Sequence, residues 1–354
     1  MICPLRKKGT FFPGLWILFL VLFCLPVRVP AQTDQAIEFI NGNWFNSYSF
    51  EKKTCYAIGG VLSFHRPAHV DATIDLHGGF VVPPFGEGHN HNVQPLNIEA
   101  LIALYLRHGI FYVKNPNNLP RDRAAVLPKI NHPASIDAIF SNGGLTGSKG
   151  HPAEIAERLI KRGLWTDADG EGGFYYTVES EADLNHKWPS LLATKPEFIK
   201  TYLLYSEQYK RRQNDPKFDG WKGLDPSLLP LIVKKAHEAG LRVSTHIENG
   251  ADFHNALAAG VDEINHMPGF RYATDVEQHP ISEFEISEAD ARLAAKHGTF
   301  VVTTLGDTTQ SDPELRRQQD ALNTRNLGLL LKHNVKAVLG SDAYRSTRSR
   351  KRST

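Results

Sequence analysis

Five times in this chain a helix-patterned stretch stops at a glycine or asparagine and an apolar strand-like run follows at once. The stops are Gly109, Gly240, Gly260, Gly298 and Asn334, ahead of Ile110-Phe111-Tyr112-Val113, Leu241-Arg242-Val243, Val261-Asp262-Glu263-Ile264, Thr299-Phe300-Val301-Val302 and Val335-Lys336-Ala337-Val338. Both residue types tolerate the left-handed backbone that ends a helix. Helix, tight stop and strand in repetition predict a parallel α/β fold. Eight strands are predicted, over 81–84, 110–113, 136–140, 198–203, 242–245, 263–265, 299–303 and 337–339. From His89 to Asp342 is 342 − 89 = 253 positions, near the ~250 residues of a (β/α)8 TIM barrel. A doubly wound sheet is the competing arrangement. It gives no reason to gather residues from strands one, four, five, six and eight at one centre, whereas strand C-termini ring the mouth of a barrel.

At 354 residues and 41% hydrophobic, the chain has enough apolar residues for a large core. A net charge of +2 gives no support for a nucleic-acid partner. Residues 1–31 read as a signal peptide: basic Arg6, Lys7 and Lys8, an apolar run from Phe11 to Leu25, then Val29-Pro30-Ala31 before Gln32. An uncleaved anchor is the alternative, but the run is short of the ~20 residues a membrane span needs. The expectation is an exported protein, periplasmic or extracellular, with no stable membrane span after cleavage. Only Cys55 then remains, which excludes an intrachain disulfide and a cysteine-based metal site. Residues 36–80 alternate like short antiparallel strands and predict a small β-sandwich unit. The barrel is expected over 81–344.

His89 and His91 are one residue apart after an apolar run, a spacing that turns two strand side chains the same way. Lys200, His246, His266 and Asp342 fall at or just past other predicted strand ends. Singly, each has an ordinary reading: a hydrogen-bonded histidine, a snorkelling lysine, an aspartate in a turn. Jointly they predict a metal site. A lysine ammonium is a poor neighbour for a divalent cation. A carbamate formed from Lys200 and carbon dioxide carries a negative charge and two oxygens, and could bridge two ions. Four imidazoles, that carbamate and one carboxylate suit two Zn2+. One metal beside an unmodified Lys200 stays open.

These residues resemble the amidohydrolase superfamily, in particular its imidazolonepropionase and prolidase-like members. His89-Asn90-His91 is similar to the family's first-strand pair, and Phe198-Ile199-Lys200 to its carboxylated lysine. Ala236-His237-Glu238-Ala239-Gly240 with Thr245-His246, and Ala259-Gly260-Val261-Asp262-Glu263-Ile264-Asn265-His266, resemble its fifth- and sixth-strand blocks. Leu339-Gly340-Ser341-Asp342 resembles its last aspartate. Glu87 departs from the pattern, standing where an Asp is usual. The resemblance implies hydrolysis of an amide or related C–N bond, with Asp342 as both ligand and general base. The same scaffold also suits esters, lactones or phosphotriesters.

The glycine-rich loop Asn142-Gly143-Gly144-Leu145-Thr146-Gly147 leads to His151, which resembles a substrate-binding histidine and equally suits a helix start before Pro152. The stretch from Tyr205 to Trp221, with Lys210, Arg211 and Arg212, reads as a lid sensing a substrate carboxylate or as a solvated insertion. The expected partner is a small-molecule or dipeptide-like substrate. Residues 345–354 are basic, hold no apolar side chain to bury and are expected to be a disordered tail. The tail stands where the family continues with a last helix and strands. The expectation is therefore a shortened reading frame, with an incomplete β unit and, as a further alternative, a non-catalytic metal-binding remnant.

Overall fold

The computed structural model describes residues 35–305 and 312–344. The expected signal peptide and basic tail lie outside the described residues. The chain divides into two compact units at Pro83/Pro84.

The first unit holds β1 (Ala36–Phe45), β2 (Phe50–Ile58), β3 (Val61–Ser63), β4 (Ala72–Asp75) and β5 (Phe80–Val81). They form one sheet of order β3-β2-β1-β4, with β5 also on β1. The run from Tyr56 to Phe64 is a hairpin, because Gly59 and Gly60 both take positive φ (57° and 83°) and so permit a two-residue turn. Two expectations are corrected here. β4 and β5 pair with β1 in parallel, not antiparallel. Among the described residues the unit is a single sheet, and the expected sandwich is not part of it.

The second unit carries β6 (Phe85–Glu87), β7 (Ile110–Asn115), β8 (Asp137–Phe140), β9 (Gly144–Thr146), β10 (Tyr175–Thr177), β11 (Ile199–Tyr202), β12 (Val243–His246), β13 (Glu263–Asn265), β14 (Phe300–Val302) and β15 (Lys336–Val338). β6-β7-β8 form one parallel sheet and β10-β9-β11-β12-β13-β14-β15 another. Single backbone hydrogen bonds link the two: Gly88 N–H to Leu339 C=O at 2.8 Å, His91 N–H to Ala343 C=O at 2.9 Å, and Glu197 N–H to Phe140 C=O at 2.8 Å. The first strand of this unit begins at Phe85, not at Val81 as expected. Pro83 and Pro84 have no N–H to give a ladder, so Val81 stays with β1 and pairing resumes after the prolines.

Helices flank the strands with their apolar faces inward. Gly250–Ala259 buries Phe253, Ala256 and Leu257, and Glu288–His297 buries Ala291 and Ala294. Both stop at the predicted glycines, Gly260 (φ 81°) and Gly298 (φ 69°). The helix-patterned stretch that stops at Asn334 is the end of a long helix, Pro313–Lys332, capped by the Asp312 side chain. Its polar first half carries too weak an apolar stripe to announce itself in sequence. The main core joins Leu145, Ile199, Val243, Ile264 and Val301 of the strands to these helices. No helix among the described residues is long and apolar enough to cross a membrane.

Candidate metal centre and substrate cavity

His89 and His91 do not lie in a strand; they follow β6 in a loop that bends at both residues. Asp342 reaches them because the chain past β15 runs alongside: Asp342 N–H donates to His89 C=O at 2.8 Å. Two glycines make that approach possible. A Cβ on Gly88 would lie 2.7 Å from Val338 Cγ1 and 2.9 Å from Leu339 O, and one on Gly340 would lie 3.1 Å from His89 Cβ. Nε2 of His89 and of His91 sit 3.3 and 3.1 Å from Asp342 Oδ1. Ligand-capable atoms of His89, His91 and Asp342 all fall within 4.8 Å of one another. Asp342 (φ 52°) and His266 (φ 78°) hold left-handed backbones that are unusual for such residues, a strain that concentrates at functional sites.

His246 and His266 line the same cavity but stand beside that trio. Ring centroids run His89 to His266 at 4.9 Å and His266 to His246 at 4.5 Å. His266 Nδ1 is 2.8 Å from Thr304 Oγ1, which leaves Nε2 for a ligand. His246 Nε2 is 3.0 Å from Glu248 Oε1, so its other nitrogen is the free one. Lys200 is buried inside β11 rather than past its end, and its Nζ donates to Asn265 Oδ1. Below it, Ser244 Oγ and Asn265 Nδ2 donate to Glu263 Oε1 at 2.8 and 2.7 Å, and Lys114 Nζ pairs with Glu263 Oε2 at 2.6 Å.

Burial sets the protonation of the cluster. It pushes His89 down to about 4, aided by the Lys200 charge and opposed by Asp342. Burial likewise holds His246 and His266 well below the usual range. Lys200 is brought down to about 7 by burial, against the pull of Glu263 and Asp342. Burial opposes ionisation of Asp342, yet its hydrogen bonds with His89 and His91 and the nearby imidazoles keep it well below the usual carboxylate range. At neutral pH, His89, His246 and His266 are therefore uncharged, Asp342 is anionic, and the His89–Asp342 contact is a hydrogen bond rather than an ion pair. These are the protonation states that metal ligands require. His89 Nδ1 is also buried without a hydrogen-bonding partner among the described residues. The donor set fits a divalent cation.

The cavity has a volume of about 350 Å3 and takes in all six residues expected as ligands. His151 lines it too, with Nδ1 held 2.6 Å from Glu154 Oε1 and its ring 5.1 Å from that of His246. The proposed carboxylate-sensing lid is corrected. Arg212 is fully buried, pairs with Asp275 at 2.8 Å, donates to Trp221 O at 2.9 Å and lies over the Tyr205 ring, so it braces the loop. Arg211 pairs with Glu277 at 2.5 Å. Three cations do line the cavity, Arg158, Lys200 and Arg271; Arg271 is stacked over Trp221 and bonded through Nε to the buried Glu248 at 2.9 Å. Sequence reasoning missed Glu248 and Arg271. Their placement, two residues after His246 and five after His266, was the available signal.

No family model matches the chain, and no curated protein does. Solved structures do resemble it. An ochratoxinase from A. niger shares 15% identity over 87% of this chain and 76% of its own, with a TM-score of 0.63. A crystallised amidohydrolase shares 18% over 87% and 78%, at 0.61. A prolidase complexed with N-methylphosphonate-L-proline shares 17% over 87% and 78%, at 0.58. At such identities the likeness is one of fold. The scaffold is a mixed α/β, parallel-sheet fold similar to those structures, here with a His/Asp cluster that could hold a metal ion.

Proposed function

We propose that this chain is an exported, metal-dependent amidohydrolase that cleaves a C–N bond of a small amide or dipeptide-like molecule. The observation that carries the reading is the convergence of His91, uncharged His89 and anionic Asp342 from the two ends of the parallel-strand unit. The fold similarity to proteins described as ochratoxinase, prolidase, molinate hydrolase and phenylurea hydrolase supports the same class. On this reading the two parallel sheets are parts of one (β/α)8 barrel, joined by the hydrogen bonds at Gly88, His91 and Glu197. The ligands are His89, His91, Lys200, His246, His266 and Asp342, and the ions are two Zn2+.

Lys200, as a carbamate, would offer oxygen ligands to the ions. An amine brought to about 7 is substantially unprotonated at neutral pH and can attack carbon dioxide, with loss of one proton. Bound divalent metal supplies Lewis acidity and a hydroxide nucleophile near neutral pH. Asp342 takes the proton of the attacking water and hands it to the leaving nitrogen. His151, its Nδ1–H held by Glu154, leaves Nε2 to accept from a substrate N–H or O–H. Arg271, held against Glu248 on the cavity wall, supplies fixed positive charge. The donor set suits esters, lactones and phosphotriesters equally, so hydrolysis of a matched panel of amides, esters and phosphotriesters by the zinc-loaded protein is the test. Preference for amides is expected. Turnover confined to the other classes would overturn the C–N assignment.

A further inference from the structure

The cavity has a second end. His151 touches the His246 ring, and the helix Ala153–Lys161 starts two residues on. Ile155 and Leu159, four positions apart within that helix, share one of its faces. At 1.5 Å per residue, the two stand about 6 Å apart along the helix axis. His151, Ile155 and Leu159 all line the cavity. So do Leu119, Trp165 and Phe174, the last two packed edge to face with centroids 4.8 Å apart. Trp165 and Phe174 are only half-buried, although large apolar side chains lining a core would be covered. The ring surface they leave open faces the cavity. The outer end is thus a largely apolar, aromatic-walled slot continuous with the metal-facing end, in a cavity that Asp122 and the exposed Arg158 also line.

We infer that this slot, walled by Leu119, Ile155, Leu159, Trp165 and Phe174, is a specificity pocket for an aromatic or bulky branched group on the substrate. The group sits one substituent away from the scissile bond. Its occupant is set by shape and chemistry: a slot between two aromatic rings and a row of aliphatic side chains favours an arene over a polar or methyl-sized group. The reaction part of this inference rests on the amidohydrolase reading; the binding part does not.

The test uses the full-length zinc-loaded protein and two probes, 3-phenylpropionate and acetate, measured by calorimetry. Hydrolysis of the corresponding amides, 3-phenylpropionamide and acetamide, is followed in parallel. Wild type should bind 3-phenylpropionate at least tenfold tighter than acetate. Trp165→Ala and Phe174→Ala should each lose about tenfold or more for the aromatic probe, the scale of a hydrophobic-pocket contact, and little for acetate. Should the alanine variants fold poorly, Ile155→Trp, which fills the slot, should abolish the aromatic preference while leaving acetate binding in place. Aromatic preference without hydrolysis of either amide would overturn the amidohydrolase reading and uphold the pocket. Equal binding of both probes by wild type, or an aromatic preference unchanged in all three variants, would overturn the pocket.

Discussion

His89 shows how burial decides chemistry at a single residue. An imidazole of ordinary value 6.5 is held at about 4, first by burial and then by the charge of Lys200. A depressed histidine contributes stability above its unfolded value and loses it as pH falls toward the folded one. The unfolded chain takes up a proton below about 6.5 that the native site refuses. A gap of about 2.5 units corresponds to ~3 kcal/mol lost between pH 6.5 and 4 in the metal-free protein. His246 and His266 act in the same direction. Urea unfolding at pH 7 and pH 4.5 should show a clear drop in midpoint, shallower in His89→Gln. An unchanged midpoint would contradict buried neutral imidazoles. For Asp342, replacement by Asn keeps the shape and removes the base. We expect Asp342→Asn to retain much of its zinc and to lose ~10²–10⁴-fold in kcat. Near wild-type turnover would remove Asp342 from proton transfer. Lys200 makes a separate demand: 13C-bicarbonate should give a carbamate carbon signal in wild type and none in Lys200→Ala.

Among the elements, the strand ends carry most of the site, and glycine governs how closely they meet. Gly88→Ala would place a methyl 2.7 Å from Val338 Cγ1 and 2.9 Å from a backbone carbonyl, so something must shift. A loss of about 1–3 kcal/mol, read from thermal or denaturant unfolding, is the expected result of such overpacking. Most of the expected strands of the parallel unit were legible, because Gly or Asn stops and apolar runs are local signals. β13 (Glu263–Asn265) lies where periodicity put it, and β12 and β14 differ by a residue or two at their ends. Other elements were not legible, for physical reasons. The first strand was misplaced because Val81 and Val82 look like strand residues, whereas the missing N–H groups of Pro83 and Pro84 decide the pairing. β9 and β10 are short strands set in glycine-rich stretches, Gly143-Gly144 and Gly172-Gly173, that read as loop. The cations at Arg211 and Arg212 looked solvent-facing because their acidic partners, Glu277 and Asp275, lie more than 60 positions away. For the site, spacing pointed to six residues around one cavity; it could not tell that His89, His91 and Asp342 would form the tight trio while His246 leaned on Glu248.

On the scale of the whole molecule, apolar exposure is uneven. Val61, Leu62, Phe64 and Phe80 of the first unit are 58–71% exposed. Isolated exposed apolar residues are common, but a group of this kind on one small sheet promotes dye binding and association. The native protein should bind an apolar fluorescent dye, and a Val61→Lys, Leu62→Lys variant should bind less and remain soluble to higher concentration. Unaltered dye binding would place the sticky surface elsewhere. The parallel-strand unit carries a different burden, that of bringing both ends of a long stretch of chain to one cluster. Metal content per chain, measured by mass spectrometry after zinc loading and exhaustive dialysis, tests that convergence most directly. Two zinc ions per chain are expected for wild type, with sharp loss in His89→Ala and in Asp342→Ala. No retained zinc, or equal retention in wild type and both variants, would contradict a metal centre built from these residues.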